Sequence, residues 1–513
     1  MSATRSGNQA QTTAPSHDAG AAGLALSRGL VDALAHSIGA EIVETHISWV
    51  LLARDTAYKI KKPVRTPFLD YQTLEHRRAF CEEEVRLNSR WAPGIYLDVQ
   101  PITGTQASPT VGGEPPVLEY AVRMKRFDES ALFARRVETG SLRPEDVDAL
   151  ADWLAELHWH APVARPQDGF GSPALRKRLA LEALSGASGA GSSPNDVRQL
   201  SNWLADEATR CEDVWRRRLE GGHVRECHGD LHLHNLLWAD AGVAAFDAVE
   251  FDPRFRWIDV ADDLAFPVMD FGKHGRADFG WRLLCGWLDR TGDHEALSVL
   301  RFSLVYRALV RCCVALLTGT GAASADQYLR CALEWTRPRR RALTIMQGLP
   351  GSGKTTVSQT LLESEGAIRI RSDVERKRLC GLGMLESSRA VGLDLYTAEA
   401  TARTYARLFE IAGLALDAGF SVIIDAAFLK FEERQRAQAL AASHDAIFRI
   451  AACEAAVPVL ESRLRSRHAD ASEADVAVLH RVRTQSEPFH RSELGFVQRF
   501  NSGMAASLGK SQA

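Results

Sequence analysis

The segment Gly348–Thr355 constrains the possible folds of this chain more than any other, because it is a glycine-rich loop with the spacing G-x-x-x-x-G-K-T. A short apolar run, residues 342–347, precedes it, and residues 356–362 follow it with apolar side chains at helical spacing. A strand, a glycine loop and a helix start together form a cradle for phosphate, since backbone N–H groups converge there on an anion. The alternative, a chance glycine-rich turn, does not account for these flanks. The segment therefore predicts a nucleotide site.

Within this loop, the expected cofactors are ATP and Mg²⁺. The side chain of Lys354 is expected to reach the β- and γ-phosphates, and the hydroxyl of Thr355 to ligate Mg²⁺. The nucleotide-binding set predicted from the loop is Gly348, Leu349, Pro350, Gly351, Ser352, Gly353, Lys354, Thr355 and Thr356.

The composition limits the partners of the chain. Its 513 residues carry a formal net charge of −3, which argues against a protein that binds nucleic acid or anionic membranes over its whole surface, though not against a local basic patch. Nine cysteines without a C-x-x-C pair favour a reducing cytoplasm over a disulfide or zinc framework. No run of about 18 apolar residues occurs, so no membrane span is expected. The oligomeric state cannot be read from these features.

The predicted elements divide the chain into two domains of different organisation. Residues 1–23 are predicted to be a disordered tail, because they are small and polar and lack the apolar core of a signal peptide. Residues 24–336 are predicted to form a domain that is rich in strands first and in helices later. A basic linker, 337–342, precedes a domain at 343–502 in which strands and helices alternate, which indicates a parallel sheet covered by helices on both faces. A second tail is expected at 503–513.

The predicted elements can be given by residue number. The strand-rich part has predicted strands at 41–53, 56–62, 95–102 and 117–127, with a helix at 71–91. The last domain has, besides the strand before the glycine loop, predicted strands at 367–370, 420–424 and 446–451 and helices at 374–379, 397–418, 431–442, 458–467 and 473–486.

A second group of polar residues lies between residues 228 and 247. Asp230 and Asn235 stand in one tight loop, and Asp247 follows a short apolar strand. Phosphoryl transfer requires a carboxylate that orients the attacking hydroxyl and oxygen ligands that hold Mg²⁺. One alternative is a zinc site on the three histidines of this segment, whose spacing matches no helical zinc pair. Another is a structural loop, which would not explain an Asp and an Asn five residues apart followed by a strand and an Asp.

The run from His228 through Asp230 to Asn235, with Phe246 and Asp247, resembles the catalytic loop and the metal-binding Asp of aminoglycoside phosphotransferases and their protein-kinase-like relatives. The resemblance covers roughly residues 24–335. It implies a bilobal fold with a β-rich N-lobe and a helical C-lobe. It further implies that Asp230 is the catalytic base and that Asn235 and Asp247 hold Mg²⁺.

The same resemblance implies an ion pair in the N-lobe between a strand lysine that contacts the α- and β-phosphates and a helix glutamate. Lys59 fits the lysine best, although Lys61 on the same side could replace it, and Glu83 is the partner that we choose. Asp259 matches the downstream Asp that braces the catalytic loop in the family. A cationic substrate could meet the acidic residues Glu250, Asp252, Asp262 and Asp263.

A third group follows the glycine loop. Asp373 and Arg376 are one helical turn apart just after a predicted strand, so both would face one cleft. An acid there can orient an acceptor hydroxyl, and an arginine can bind a phosphate. Asp425 ends a strand where an acid would support Mg²⁺, with a helix N-cap as the alternative. Arg463 and Arg467 lie at a helix end and resemble the arginine lid of small P-loop kinases.

Residues 343–500 thus resemble the P-loop kinases that include polynucleotide 5′-kinases, adenylate-kinase-like enzymes and zeta-toxin-like sugar-nucleotide kinases. The resemblance implies that Asp373 activates the acceptor and that Lys354 stabilises the transferred charge. No basic groove with interleaved aromatic residues is apparent, so a small-molecule acceptor is favoured over nucleic acid.

The whole chain resembles bifunctional bacterial proteins that join an aminoglycoside-phosphotransferase-like domain to an AAA-type ATP-binding domain. A cytoplasmic kinase that transfers phosphate from Mg-ATP at both sites is therefore expected. Two alternatives stay open. One is a nucleotide-gated regulator, in which one domain binds ATP without phosphotransfer. The other is a polynucleotide 5′-kinase or zeta-toxin-like activity in the last domain.

Overall fold

The computed structural model describes residues 17–66, 69–189, 193–317, 321–466 and 471–501. The chain divides into two compact units, of which unit 1 comprises Met1–Asp128 and Ala244–Pro253 and unit 2 comprises Glu129–Val243 and Arg254–Ala513. Residues 1–16 of the predicted first tail, residue 502 and the predicted tail at 503–513 lie outside the described residues.

Unit 1 is built on an antiparallel sheet. Its elements are α1 (His17–Ile38), β1 (Glu41–Glu44), β2 (Ser48–Leu52), β3 (Thr56–Lys61), α2 (Leu74–Trp91), β4 (Tyr96–Thr105), β5 (Ser108–Val111) and β6 (Glu119–Lys125). The strands lie in the order β1-β2-β3-β6-β4-β5. Helix α1 packs on this sheet through Val31 and Leu34, which contact a buried cluster that includes Trp49 and Ile60. Burial of these apolar side chains holds the helix to the sheet.

Two predictions for unit 1 need correction. The strand predicted over residues 41–53 is a hairpin of β1 and β2, because Thr45 turns the chain: its backbone N–H donates to the carbonyl of Ser48 at 2.9 Å, and its hydroxyl accepts from the N–H of Ser48 at 3.0 Å. Helix α1 begins at His17, so the boundary predicted for the tail at residue 23 falls inside a helix.

The first part of unit 2 is mainly helical. Its elements are α3 (Phe133–Glu138), α4 (Pro144–His160), α5 (Pro173–Ala187), α6 (Pro194–Glu220), β7 (Val224–Glu226), β8 (Leu236–Ala239), β9 (Gly242–Ala245), α7 (Pro253–Arg256), β10 (Trp257–Asp259), α8 (Val260–Lys273), α9 (Ala277–Thr291), α10 (Leu297–Leu317) and α11 (Ala322–Thr336). Helices α8 and α10 are buried along most of their length, and they form the centre of this part.

The second part of unit 2 alternates strands and helices. Its elements are β11 (Ala342–Gln347), α12 (Lys354–Glu365), β12 (Ala367–Arg371), α13 (Ser372–Leu379), α14 (Ala398–Asp417), β13 (Ser421–Asp425), α15 (Phe431–Ser443), β14 (Ile447–Glu454), α16 (Val457–Arg465), α17 (Val476–Arg483) and β15 (Val497–Asn501). The five strands are parallel and lie in the order β12-β13-β11-β14-β15. The predicted fold class, an antiparallel-sheet domain with a helical part and a parallel-sheet domain with helices, is confirmed. Strand β15 was not predicted.

Helix α9 of the helical part packs directly on the parallel-sheet part. The indole ring of Trp281 meets the ring of Phe420 edge to face, with 6.1 Å between the ring centroids. The guanidinium of Arg282 donates to Glu363 at 2.8 Å. The two parts of unit 2 therefore share a packed and charged junction. Among the described residues, no helix combines the length and the apolar character that a bilayer crossing requires.

Candidate functional site

The loop Gly348–Thr355 connects β11 to α12, as predicted. Its three glycines have φ angles of 151°, 82° and 88°, which lie in the region that side chains with a Cβ rarely adopt. A Cβ on Gly348 would lie 2.5 Å from the carbonyl oxygen of Cys453 and 2.6 Å from the hydroxyl of Ser352. The loop is therefore a tight turn whose backbone path depends on glycine.

The inside of this loop fits a phosphate group. The Nζ atom of Lys354 donates to the carbonyl oxygens of Gly348 at 2.9 Å and Leu349 at 3.0 Å, so the ammonium group lies across the loop. The buried hydroxyl of Ser352 has no hydrogen-bond partner among the described residues. Since α12 begins at Lys354, the positive end of its dipole faces the same space. The ammonium group of Lys354, the hydroxyl of Ser352 and the N-terminus of α12 together suit an anionic ligand.

Asp425 lies at the end of β13, whose Ile424 is in register with Ile345 of the neighbouring β11. Its buried carboxylate accepts a hydrogen bond from the hydroxyl of Ser358 at 3.1 Å, which holds it against α12. The next helix, α15, has Lys430 as its N-cap, so Asp425 is not a helix cap. A fixed carboxylate beside the start of α12 is the oxygen donor that a Mg²⁺ ion would need there.

Asp373 and Arg376 lie on α13, with 3.4 Å between Oδ1 of the acid and Nη1 of the arginine. Arg376 is 8% exposed, and its guanidinium lies 4.9 Å from the ring centroid of Tyr396. Its Nε atom has no hydrogen-bond partner within the described part of the chain. A buried guanidinium with an unused N–H is ready to bind an anion.

One cleft of about 1000 Å³ brings these groups together. Its walls include Lys354, Thr355, Asp373, Arg376 and Asp425. Among the described residues, seven cationic and four acidic side chains line it, and the cations are Lys354, Arg371, Arg376, Lys430, Arg436, Arg463 and Arg481. The structure thus joins groups that are up to 127 residues apart in the sequence, as Lys354 and Arg481 are (481 − 354).

The predicted lid arginines have different outcomes. Arg463 lines the cleft and donates from Nη1 to the carbonyl of Gly351 at 3.2 Å, so it contacts the glycine loop directly. Arg467 lies outside the described residues. Arg371, Lys430, Arg436 and Arg481 are cations of the cleft that we did not single out from the sequence for binding, because residues on separate helices and loops give no common spacing signal.

Unit 1 holds a chain of buried charges. Lys59 on β3 donates to Glu84 of α2 at 2.7 Å and forms an ion pair with Asp247. Lys61 also donates to Glu84 at 2.7 Å and pairs with Glu250. Both lysines of the strand therefore share one glutamate, and Lys59 is the one that reaches Asp247.

The choice of Glu83 as the helix partner is wrong. Glu83 pairs with Arg86 on the outer side of α2, whereas Glu84 is fully buried against the strand. Burial alone would raise the pKa of Glu84, but the charges of Lys59 and Lys61 outweigh it and hold the pKa well below its ordinary value. The sequence could not separate neighbours in a run of three glutamates, because the rotation of α2 against the sheet decides which one faces β3.

Asp247 is fixed by its backbone. It has a φ of 64°, which is unusual for a residue other than glycine. Its N–H donates to the hydroxyl of Tyr96 at 3.1 Å, and the next N–H, of Ala248, donates to the side chain of Asn88 at 3.0 Å. Tyr96 and Asn88 thus hold the backbone at Asp247, and no sequence motif predicted this role for them. The carboxylate of Asp247 is 47% exposed, so it is open to a ligand.

The loop from His228 to Asn235 is tied down by two carboxylates of α8. Asp263 accepts from the backbone N–H of Gly229 at 2.9 Å, and Asp270 accepts from the N–H of Leu233 at 2.9 Å. Asn235 closes the loop by donating to the carbonyl of Asp230 at 2.9 Å. The loop is held in one conformation by buried acceptors.

Asp259, which we expected to brace this loop, binds Arg218 instead. Its two carboxylate oxygens accept from that guanidinium at 2.8 Å each, and one of them caps α8 through the N–H of Ala261. The brace is Asp263, four residues further along. Because Asp259, Asp262 and Asp263 lie within five positions, the sequence did not show which of them braces the loop. Helix α8 begins directly after Asp259, which makes Asp259 its cap and turns Asp263 towards the loop.

The expectation of a cationic substrate at the acidic residues is also wrong for three of them. Glu250 pairs with Lys61 and accepts from the hydroxyl of Tyr71 at 2.5 Å. Asp262 accepts from Arg176 at 2.7 Å, and Asp263 holds the loop. Asp252 is buried as well. Glu250, Asp262 and Asp263 thus neutralise or bind groups of the protein itself.

The side chain of Asp230 is 30% exposed and has a histidine and an arginine beside it. His232 lies 3.4 Å and Arg311 3.8 Å from its carboxylate oxygens. Burial alone would raise the pKa of Asp230, but the histidine and Arg311 outweigh it and hold the pKa far below its usual range. The carboxylate is therefore ionised at neutral pH and can accept a hydrogen bond from a hydroxyl.

The side chains whose spacing could suit a metal are not the three histidines of the zinc alternative, as far as the described residues go. Within the described residues, the group that could hold a metal is His158, Cys227 and Asp263. His158 accepts from the indole N–H of Trp287 at 3.2 Å through Nδ1, and its Nε2 lies 3.3 Å from Asp263. Both ring nitrogens thus have protein partners, and the group is a hydrogen-bonded part of the core.

Two family models match parts of the chain. Residues 110–296 match the family described as phosphotransferase enzyme family, and residues 343–489 match a family described as AAA domain. An uncharacterized protein of Mycobacterium tuberculosis and one of Mycobacterium bovis are each 31% identical over 485 residues, which cover 92% of this chain and 95% of theirs.

Parts of the chain align with two solved structures. A choline/ethanolamine kinase family protein from Mesorhizobium loti is 13% identical, with a TM-score of 0.36, and covers 60% of this chain and 99% of that chain. An APS kinase of Mycobacterium tuberculosis is 20% identical, with a TM-score of 0.24, and covers 33% of this chain and 96% of that chain.

Proposed function

The chain belongs to the family of these mycobacterial proteins and is a kinase, and we propose that it has two separate Mg-ATP sites, each of which transfers phosphate to a hydroxyl of a small molecule. The observation that carries the proposal is the cleft of unit 2, where phosphate cradle, strand-end acid, acceptor-side acid and arginines line one space.

In the cleft of unit 2, each residue has a separate task. Bound Mg-ATP would supply the γ-phosphoryl group. Lys354 neutralises the negative charge that develops on it, and Thr355 and Asp425 offer oxygen atoms for Mg²⁺. Asp373 orients the acceptor hydroxyl and takes its proton, and Arg376 binds the phosphoryl oxygens or an anionic group of the acceptor.

The first site is that of the phosphotransferase-like part. Each unit holds residues whose types suit phosphate transfer. In unit 1, Lys59 binds the α- and β-phosphates and is held by Glu84, while Asp247 offers an exposed carboxylate to Mg²⁺. In unit 2, Asp230 orients the acceptor hydroxyl and Asn235 offers an oxygen atom for Mg²⁺. The ion pair of Lys59 with Glu84 and the fixed loop of Asp230 support these roles.

We further propose that the acceptors are small molecules, that nucleic acid is not a substrate and that the protein works in the cytoplasm. The cysteines of the described residues are free thiols, which is typical of proteins in a reducing compartment. The excess of cations in the cleft of unit 2 favours anionic ligands, and the phosphates of the nucleotide are among them.

The test uses the full chain, because the junction at α9 joins the two parts of unit 2. Incubation with Mg-ATP and pools of small hydroxyl compounds is followed by mass spectrometry for products heavier by one phosphate. Lys354→Ala should abolish one set of products and Asp230→Asn another. If neither variant removes any product, or if ATP yields no phosphorylated compound from broad pools, the proposal is refuted.

A further inference from the structure

Helix α13 has two faces with different surroundings. Asp373 and Arg376 line the cleft, whereas Glu375 is 2% exposed and its neighbour on that side, Arg378, binds it. Residues two positions apart on a helix point in different directions. Helix α13 therefore presents Asp373 and Arg376 to the cleft with one face, and its opposite face is packed against another part of the protein.

That support is the C-terminal end of α9, which belongs to the phosphotransferase-like part of the chain. Arg378 donates from Nη2 to the backbone carbonyl of Asp289 at 2.7 Å. Gly292, at the end of α9, has a φ of 68°, and a Cβ there would lie 2.5 Å from Nε of Arg378. The arginine thus lies flat against a glycine turn of the other part.

The carboxylate of Asp289 faces the strand before α13. One of its oxygens lies 3.6 Å from Nη2 of Arg369 and 3.7 Å from Nη1 of Arg371. Asp289 is 5% exposed, so these charges interact with little screening by water. Arg371 is also the N-cap residue of α13 and a lining residue of the cleft.

Helix α9 is itself anchored on its other side. Arg282 donates to Asp148 of α4 at 2.7 Å, and the indole of Trp287 donates to His158, which in turn contacts Asp263. Asp263 holds the loop of Asp230. The platform under α13 is therefore part of the same packed framework as the catalytic loop of the phosphotransferase-like part.

We propose that Asp289 is a positioning residue for the P-loop site. Its carboxylate acts through Arg369 and Arg371, and it sets where α13 presents Asp373 and Arg376 to the cleft. The second site is then incomplete without α9 of the phosphotransferase-like part. This inference rests on the proposed roles of Asp373 and Arg376 in phosphotransfer.

The first experiment measures hydrogen exchange of the ligand-free full chain by mass spectrometry. Asp289→Asn keeps the size of the side chain and removes its charge. We expect exchange in the peptide 372–379 to be at least about twofold faster in this variant, because local opening follows the loss of supporting contacts. Asp289→Glu keeps the charge and should restore much of the protection. Asp278→Asn is the matched control, since Asp278 lies on the same helix and pairs with Arg276.

The second experiment measures phosphate release from Mg-ATP with water in place of the acceptor hydroxyl, in a chain that also carries Asp230→Asn, which silences the first site. We expect Asp289→Asn to lower kcat by about tenfold and to change KM for ATP by less than about threefold, because misplaced reacting groups affect the transition state more than nucleotide binding. Asp278→Asn should leave both values unchanged.

The outcomes separate the inference from the proposed function. Exchange in 372–379 that matches the parent in Asp289→Asn, or equal changes in Asp278→Asn, overturns the positioning role whatever the turnover. If Lys354→Ala lowers phosphate release and Asp289→Asn does not, the site is catalytic and the positioning role is wrong. If Lys354→Ala leaves phosphate release unchanged, the proposed function of the cleft fails, and the exchange data alone decide whether Asp289 supports α13.

Discussion

Replacing Glu84 by Gln should destabilise unit 1 by about 3 kcal/mol, because the glutamate is the shared anion of two buried lysines. The pKa of this carboxyl falls from its ordinary 4.5 to about 2 in the folded protein. Each pKa unit corresponds to about 1.4 kcal/mol, and the glutamine resembles the protonated acid in shape and charge. A loss of this size is also typical when one partner of a buried ion pair is removed.

The loss has a defined dependence on pH. A carboxyl whose pKa is lowered by folding adds stability above its unfolded pKa, and this stability is lost as the pH falls towards the folded value. The difference between parent and Glu84→Gln should thus be complete at pH 7 and about 1.4 kcal/mol smaller at pH 3.5.

The assay is urea unfolding followed by hydrogen exchange in peptides from β3 and α2, which reports on unit 1 rather than on the whole chain. A loss of about 3 kcal/mol moves the urea midpoint down by about 1–2 M. Glu83→Gln is the matched control, since Glu83 forms a partly exposed pair with Arg86 and should cost about 0.5 kcal/mol or less. Equal midpoints for the two variants, or a larger effect of Glu83→Gln, would refute the reasoning.

Three further predictions concern catalysis and nucleotide binding. Lys354→Ala should lower product formation at the cleft of unit 2 by about 10³-fold, and a loss of less than about tenfold in product assays would contradict its role. Asp230→Asn should abolish the products of the first site while ATP binding, followed by calorimetry, persists; unchanged turnover would contradict the role of the acid. Gly348→Ala should weaken nucleotide binding by more than about tenfold, because its Cβ would overlap the loop. Gly381→Ala is its control, since that glycine also has a positive φ but open space around it, and equal affinities would show that the cradle tolerates a side chain.

Much of the fold could be predicted from patterns of residues that are close together in the sequence. The spacing of Gly348–Thr355 and the apolar run before it predicted β11 and α12 closely, because a glycine turn and a helix start depend on neighbouring residues. The loop of Asp230 and Asn235 was located in the same way. Element ends were less accurate where a side chain caps them, as at Asp475, whose carboxylate makes α17 begin at Val476 instead of residue 473.

Contacts between distant parts of the chain could not be read from spacing. Glu84 was missed in favour of Glu83, and Asp263 in favour of Asp259, because each choice depends on how a helix is rotated against its neighbours. The cations that join the P-loop cleft come from several helices and loops, so they share no motif.

The sequence by itself determined that the chain has a phosphate cradle, a second carboxylate and amide loop, and two kinds of domain, since these depend on local backbone geometry and apolar periodicity. Only the tertiary structure decided which glutamate binds the strand lysines, which aspartate braces the loop of Asp230, and that Asp289 lies beneath the helix of Asp373. The physical reason is that charge pairing and burial act between atoms that are close in space, whatever their distance along the chain.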